Sequence, residues 1–316
     1  MTLGEALGVV AAVDPGPLAP GAELRLDFAG AEATVAIGVS RLGHHSTWIG
    51  SVGADGVGRM ILDRLRAERV DIAQCRVDPD LPTGLMLRER RTADRIRGTY
   101  YRRGLAGARL SVDEIDATRI ATAGVLHLTG ITPALSDSAR ATVDLAVGIA
   151  HDADVPVSLD INYRRALWTP ADAAVHLATL ASKVDILFAG VDEAALLLGN
   201  LDGVDPASDL ALVTESLAAL GPSEVVLKLG ADGAVAWAGG ELLREGAVPV
   251  TAVDPIGAGD AFVAGYLAGL LDGGTVSERL RLAALCGAFA VSVPGDWTGL
   301  PYRDELGLLD GVDVQR

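Results

Sequence analysis

Cysteine is scarce in this chain. Cys75 and Cys286 are the only two in 316 residues, and they lie far apart. Isolated cysteines in a chain of this size point to reduced thiols, not a disulfide framework, and neither has metal-ligand spacing. The five histidines form no metal pattern either: His44 and His45 are adjacent, and His127, His151 and His176 are scattered. Positive charge is in deficit. The net charge of −16 argues against nucleic acid and anionic membranes as partners. Basic residues are nearly all arginine, with Lys183 and Lys228 the only lysines, which we read as genome composition without functional content. No apolar run is long enough to span a bilayer. The N-terminus lacks a basic region followed by an apolar core and cleavage site. No signal peptide and a cytoplasmic location are therefore expected.

Half of the chain is hydrophobic, enough for a large core in one α/β domain over residues 1–316, or for a domain plus a small appendage. Apolar runs of strand length alternate with helical patterns. Met1 to Ala12 reads as an opening strand, Glu23 to Phe28 as a strand with one exposed face, Gly30 to Leu42 as a helix, Thr47 to Val52 as a strand and Arg59 to Glu68 as a helix. From Ala121 onward the alternation is regular. Strands are expected at Val125 to Leu128, Val157 to Asp160, Asp185 to Ala189 and Glu224 to Leu229. Helices are expected at Ser136 to His151, Pro170 to Ser182, Asp192 to Leu198, Leu210 to Leu220, Ala261 to Leu271 and Ser277 to Val293. Val235 to Ala238 and Glu241 to Val248 fit a small antiparallel edge. Short, near-continuous apolar strands imply a mostly parallel sheet covered on both faces, in three α/β/α layers.

One stretch organises the rest: Asp254-Pro255-Ile256-Gly257-Ala258-Gly259-Asp260-Ala261-Phe262. It follows an alternating run, Ala247 to Val253, that reads as a strand, and it opens a long apolar helix. The first turn of a helix carries unpaired N–H groups and the positive end of the dipole. Glycines let a backbone approach a ligand closely. Together they make an anion cradle, most often for phosphate. A carboxylate at Asp260 repels phosphate, but it makes sense as a base for a hydroxyl that attacks phosphorus. The alternative is that Asp260 caps the helix and the glycines only form a tight turn.

Ligands of parallel sheets bind outside the carboxyl ends of the strands. Four further strand ends carry polar or glycine chemistry: Thr129-Gly130, Asp160 to Arg164, Asp192-Glu193 and Gly230 to Gly233. Each alone is weak, and the set favours phosphoryl transfer over a purely structural role. Gly84 to Arg90 and Ile96 to Arg102, joined at Thr92-Ala93-Asp94, read as an exposed hairpin. It is a lid over the site, a dimer edge, or both.

These residues resemble the ribokinase-like (PfkB) carbohydrate kinases over essentially the whole chain. Asp254 to Phe262 is similar to that family's C-terminal signature, and Gly50 to Gly58 to its N-terminal one. Several details are most similar to the 2-keto-3-deoxygluconate kinases: Leu3-Gly4-Glu5, Tyr100-Tyr101-Arg102, Asp160 to Arg164 with Leu167-Trp168, and Gly295-Asp296. The resemblance implies a small β lid with strands within 9–30 and 83–104. It implies ATP and Mg²⁺, with a monovalent cation such as K⁺ common in relatives. Asp260 would be the base, and the backbone of Gly257, Ala258 and Gly259 would stabilise the transferred phosphate. Gly30, Thr34, Tyr100, Arg102 and Arg164 would line the sugar site; two arginines suit a carboxylate better than a neutral sugar. Gly230, Gly233, Asp254, Gly257 and Gly259 would lie along the nucleotide, and Glu193 would meet Mg²⁺ through water. An exposed lid edge suits a homo-oligomer.

The chain departs from the family in three places. Gly-Gly followed by Asn appears as Ala29-Gly30 and Thr34; Asn-x-x-Glu appears as Gly190-Val191-Asp192-Glu193; and Pro255 replaces a frequent Thr. Other readings are a kinase of a different small sugar or polyol (ribose, fructose, 5-dehydro-2-deoxygluconate) and a catalytically silent sugar- or nucleotide-binding relative. A nicotinamide-dependent oxidoreductase lacks its Gly-x-Gly-x-x-Gly turn.

Overall fold

The computed structural model describes residues 1–92, 95–199 and 207–309. Ala93 and Asp94 of the expected hairpin turn lie outside the described residues. In chain order the first elements are β1 (Thr2–Leu3), β2 (Leu7–Ala12), β3 (Leu24–Ala29), α1 (Ala31–Arg41), β4 (Trp48–Ile49), β5 (Ser51–Gly53), α2 (Gly56–Ala67), β6 (Arg76–Asp78), β7 (Leu85–Thr92) and β8 (Arg95–Tyr101). Then come α3 (Ala117–Ala121), β9 (Leu126–Thr129), α4 (Asp137–Asp152), β10 (Val157–Asp160), α5 (Pro170–Ala181), β11 (Ile186–Gly190), α6 (Val191–Leu198) and α7 (Leu210–Ala218). The last are β12 (Glu224–Lys228), β13 (Ala234–Ala238), β14 (Glu241–Glu245), α8 (Ala258–Leu271) and α9 (Val276–Val291).

The main sheet runs β14-β13-β12-β11-β10-β9-β1-β4. It is parallel from β4 to β12, and β13 and β14 close it antiparallel. Its strands are largely apolar because successive side chains enter two different cores. Leu187, Ala189, Val225 and Leu227 join Val143 of α4, Leu177 of α5 and Leu217 of α7. Ile186, Phe188 and Val226 join Val35 of α1, Tyr266 of α8 and Leu280 of α9. Phe188 meets Tyr266 edge to face, with ring centroids 5.2 Å apart. The Tyr266 phenol then donates to Glu224, which also accepts from Arg279. All five parallel strand ends from β9 to β12 and β1 thus point to one edge, where α8 begins.

A second sheet, β3-β2-β7-β8, stands over that edge. Val9, Asp27, Met86 and Tyr100 lie in register across it, as do Val10, Leu26, Leu87 and Thr99 one residue on. The first row faces the cavity described below, since Met86 and Tyr100 line it. The second faces outward.

Three expected elements are corrected. The opening strand is not one strand: it breaks at Gly4-Glu5-Ala6, leaving β1 in the main sheet and β2 in the second. A buried carboxylate, Glu5, sits at the break. Thr47 to Val52 likewise divides at Gly50, where a Cβ would strike the Trp48 ring. The run from Ala247 to Val253 forms no strand; its alternation reflects a segment lying on the surface without a ladder partner, tied at its end by Val253 and Asp254 N–H groups to the Val291 carbonyl.

Helix starts fall into two kinds. Asp55, Ser136, Thr169 and Thr275 cap α2, α4, α5 and α9, each accepting a backbone N–H three residues on. Helices α1, α6 and α8 begin instead at Gly30, Gly190 and Gly257, without a side-chain cap. Helix α8 starts at Ala258, earlier than the apolar pattern suggests, because Gly257 takes a left-handed φ of 77° and turns the chain into it.

The Phe188–Tyr266 contact binds sheet to helix. Phe188→Ala is expected to destabilise the fold by about 3–5 kcal/mol, the range for an aromatic deleted from a packed core, read from urea unfolding midpoints. A loss below about 1 kcal/mol would show that α8 is held chiefly by other contacts.

Candidate active site

The three uncapped helix starts open onto two adjoining cavities. One, of about 430 Å³, lies between the second sheet and the strand ends, with Gly30, Tyr100, Arg102, Arg164, Gly257, Gly259 and Asp260 among its walls. The other, of about 790 Å³, lies outside β11 and β12 and is lined by Gly190, Asp192, Leu229, Asp232 and Arg244 among others. Glu193 and Lys228 belong to both.

Gly257 cannot be replaced without strain. Its φ is left-handed, and a Cβ would strike the Asp296 carbonyl. Gly259 is different: only the Lys228 ammonium comes near, 3.6 Å from where a Cβ would be. The space beside Gly259 is therefore left for a ligand, in front of the N–H groups that the first helical turn leaves without intrahelical partners. Ala258 is the first residue of that turn and is not itself a wall of the cavity.

Asp260 stands in the same turn, half-buried at the cavity floor. Removal from water and then the Asp160 carboxylate beside it raise its pKa to about 7, against the pull of Arg164 and Lys228. Asn162 Nδ2 donates to Asp260 Oδ1 at 3.2 Å. Asn162 itself has φ 39°, a left-handed backbone that Asn tolerates better than most residues. This local strain turns the chain after β10 so that Asn162 and Arg164 both reach the cavity.

Asp160, at the end of β10, is buried, and both its oxygens accept from Lys228 Nζ at 2.7 Å. Burial works to discharge Lys228, but the Asp160, Glu193 and Asp260 carboxylates together more than offset it, so its pKa is raised and the side chain stays an ammonium. Glu193 accepts the Gly190 N–H at 2.7 Å and the Tyr163 N–H at 2.8 Å, one on each oxygen. Among the described residues no cluster of three His, Cys, Asp or Glu side chains is set to hold a metal. Glu193 is the residue that would meet, through water, a Mg²⁺ ion carried mainly by phosphates. Bound there, Mg²⁺ would neutralise charge on the phosphate oxygens.

Beneath the second sheet, Arg102 does not stand free. Its guanidinium pairs with Glu5 and lies over the Tyr100 ring. Burial lifts Glu5 to about 7, offset in part by Arg102. Glu32, at the start of α1, is also buried and accepts from Thr129 and Thr132 hydroxyls, both at 2.6 Å. Arg88 of β7 reaches across to Asp296 at 2.8 Å, tying the second sheet to the segment beneath Gly257. Arg164 makes no ion pair or hydrogen bond through its guanidinium among the described residues.

Several expected contacts are corrected. Thr34 is buried inside α1 and does not reach the cavity; Glu32, two residues earlier, does. Asp254 is buried and accepts the Ile256 and Gly295 N–H groups at 3.2 Å, so it shapes the loop and lines neither cavity. Gly230 and Gly233 bracket the β12–β13 turn, both with positive φ. They shape the rim that Leu229 and Asp232 line, and a Cβ at Gly233 would strike the Glu245 backbone. Lys228, Asn162, Glu5 and Glu32 escaped sequence reasoning as site residues. The available signal for Lys228 was its rarity at a strand end; for Glu5 and Glu32 it was an acid inside an otherwise apolar run.

The chain matches the model of the pfkB family carbohydrate kinases over residues 1–303. It is 39% identical over 311 residues to the 2-dehydro-3-deoxygluconokinase of Thermoproteus tenax, covering 96% of this chain and 92% of that protein. It is 34% identical over 309 residues to the 2-dehydro-3-deoxygluconokinase of Bacillus subtilis (strain 168), covering 97% and 93%. It superposes on a putative ribokinase II from E. coli in complex with ATP and Mg²⁺ with a TM-score of 0.87, at 27% identity, covering 98% and 97% of the two chains. Two adjoining cavities, a glycine cradle at a helix start and a carboxylate beside it are the parts of a phosphotransferase, and the chain belongs to the pfkB family of carbohydrate kinases.

The raised Asp260 pKa sets an expectation. A base works deprotonated, so kcat/KM is expected to fall as pH drops through about 7, the value that burial and Asp160 impose. Asp260→Asn is expected to keep the fold and slow turnover by about a hundredfold or more. Turnover within a few-fold of the parent would remove the carboxylate from the chemistry.

Proposed function

We propose that the protein is an ATP-dependent kinase that phosphorylates the terminal hydroxyl of a small sugar acid, with 2-keto-3-deoxygluconate (2-dehydro-3-deoxygluconate) the substrate best supported. The carrying observation is the unpaired Arg164 guanidinium in the wall of the cavity that ends at Asp260. A carboxylate held there in bidentate fashion would set the far end of the sugar toward the cradle. The names of the similar proteins support the same substrate.

The chemistry follows from the placement. Asp260 removes the proton of the terminal hydroxyl. That oxygen bonds to the γ-phosphorus while the β–γ bridge breaks, and ADP leaves with the bridging electrons. The proton remains on Asp260 until it passes to solvent. N–H groups at the start of α8 face the charge that grows on the transferred group, an arrangement worth about 10²–10³ in rate per donor. A neutral sugar is the second reading. It is favoured by Glu5, which already neutralises Arg102, and by Glu32, an acceptor suited to hydroxyls.

The proposal extends to setting and assembly. Cys75 and Cys286 are free thiols, in keeping with a reducing cytoplasm. Leu24 and Leu26 of one edge strand and Tyr101 of the other are 45%, 52% and 58% exposed on the outward face, with half-buried Val10 and Leu87 between them, an apolar face that a second copy would cover. A homodimer closed through this face is expected on light scattering, and Leu26→Glu is expected to yield monomers; a parent that elutes as a monomer discards the idea.

The test of substrate is ADP release with ATP and Mg²⁺ on 2-keto-3-deoxygluconate, 2-keto-gluconate, ribose and fructose. Turnover is expected on the first. Arg164→Ala is expected to raise KM for the acid about tenfold or more and leave a neutral sugar nearly unchanged, the size of a lost charged hydrogen bond. Equal effects on both would discard the carboxylate contact.

A further inference from the structure

We propose that the protein has a second binding site, for a small carboxylate with an apolar tail, at the end of the main sheet opposite the active site. It shares no lining residue with the two cavities described above.

A cavity of about 300 Å³ lies there, between the sheet and helices α1 and α8. Thr2 and Val125 mark it as the end where β1 and β9 begin, whereas the active site lies where the parallel strands finish. Small residues at Ala123 and Gly124 leave the space, and Val35, Val39, Leu267 and Leu271 give it an aliphatic wall. Its size is at the lower end for small-molecule sites, which run from roughly 300 to 1,000 Å³.

Two buried polar side chains in the wall each have an atom without a partner. His127 is 1% exposed and Ser46 3%. His127 Nδ1 meets Ser158 Oγ at 3.0 Å, while His127 Nε2 and Ser46 Oγ bond to nothing among the described residues. The tautomer follows from Ser158, whose hydroxyl has no other partner among the described residues. A proton on Nδ1 would leave the Ser158 hydrogen buried and unbonded, a costly arrangement. Ser158 therefore donates to Nδ1, and Nε2 carries the hydrogen. Burial, above all, pushes the imidazole pKa down to about 3, so the ring is neutral. The cavity thus offers two donors, Nε2–H and the Ser46 hydroxyl, and lacks an acceptor for them.

Charge selects among acceptors. The chain has 42 acidic residues, yet among the described residues none lines this cavity, while Arg119 and His45 do. Arg119 is shared with Asp71 at 2.5 Å but keeps 38% of its side chain exposed. Three of the last α8 carbonyls, at the end of the dipole that repels anions, already accept from the N–H groups of Asp272, Gly273 and Gly274. A carboxylate brings oxygens for both donors, in charge-assisted bonds roughly twice as strong as neutral ones. Its tail covers the aliphatic wall. Water competes for the donors, but a buried water makes about three hydrogen bonds, and the aliphatic wall supplies none.

The probe is isovalerate, with isoamyl alcohol as its uncharged counterpart. Each is titrated, without sugar or nucleotide, into the parent, His127→Phe, Ser46→Ala and Arg164→Ala. Ligand-observed NMR gives dissociation constants, and the imidazole nitrogens of histidine-labelled protein report the His127 tautomer. The parent is expected to bind the acid with a Kd of about 1 mM or below, about tenfold tighter than the alcohol. The Kd for the acid is expected to rise about tenfold in Ser46→Ala and at least as much in His127→Phe, and to stay within about twofold in Arg164→Ala. Nε2 is expected to carry the proton and to shift during the titration. If His127→Phe does not fold, Ser46→Ala decides. The absence of saturable binding, which leaves water as the occupant, overturns the proposal. So does an alcohol that binds as tightly as the acid, or an acid affinity unchanged in Ser46→Ala. Binding lost in Arg164→Ala but kept in Ser46→Ala puts the acid in the sugar cavity, which overturns the second site and leaves the kinase reading standing.

Discussion

Like charges crowded into a closed space are the constraint on which this site depends. Glu5, Glu32, Asp160, Glu193, Asp260 and Asp296 all face one cavity of about 430 Å³. Left alone they would repel one another and any phosphate. Each is managed differently. Asp160 has a lysine, Glu5 and Asp296 have arginines, Glu32 has two hydroxyls and Glu193 has two backbone N–H groups. Asp260 receives only an amide, from Asn162, and with Glu5 it is one of two carboxylates in this cavity lifted to about 7. The charges of its neighbours thus set the reactivity of an acid that has no cation of its own.

The fold supplies the geometry for this arrangement. A parallel sheet collects its strand ends on one edge, and the helix that follows the last loop starts there. A glycine stands in place of the usual side-chain cap at three such starts, with a left-handed φ at Gly257 alone, while helices that begin elsewhere carry Asp, Ser or Thr. A capping side chain would fill the N–H groups that a ligand is to use. Local stability is forgone where binding is wanted and kept where it is not.

Much of this was legible in the sequence. The apolar strands from Val157 to Leu227, the helices between them and the cradle at Gly257 to Asp260 each carry a local physical signal. Position within a cavity carries none. Thr34 and Glu32 sit on the same helix, and only the packing of α1 decides that the acid reaches the cavity and the hydroxyl does not. Asp254 looked like part of the phosphate loop because it adjoins it in sequence, yet its carboxylate is used up on Ile256 and Gly295. The run before it alternated like a strand, but strand formation needs a neighbour with free hydrogen-bonding groups, and none lies beside residues 247–252 among those described. Arg102 looked available to a ligand because its partner, Glu5, is 97 positions away (102 − 5).

The Arg88–Asp296 pair spans from the second sheet to the segment on which Gly257 rests. Both side chains are largely shielded, with 12% and 13% of their surface exposed. Lifting the sheet off the cavity means pulling these two charges apart and wetting each. Because both are shielded, salt screens this pair much less than it screens surface charges, so the hold of the second sheet on the segment under Gly257 persists as ionic strength rises.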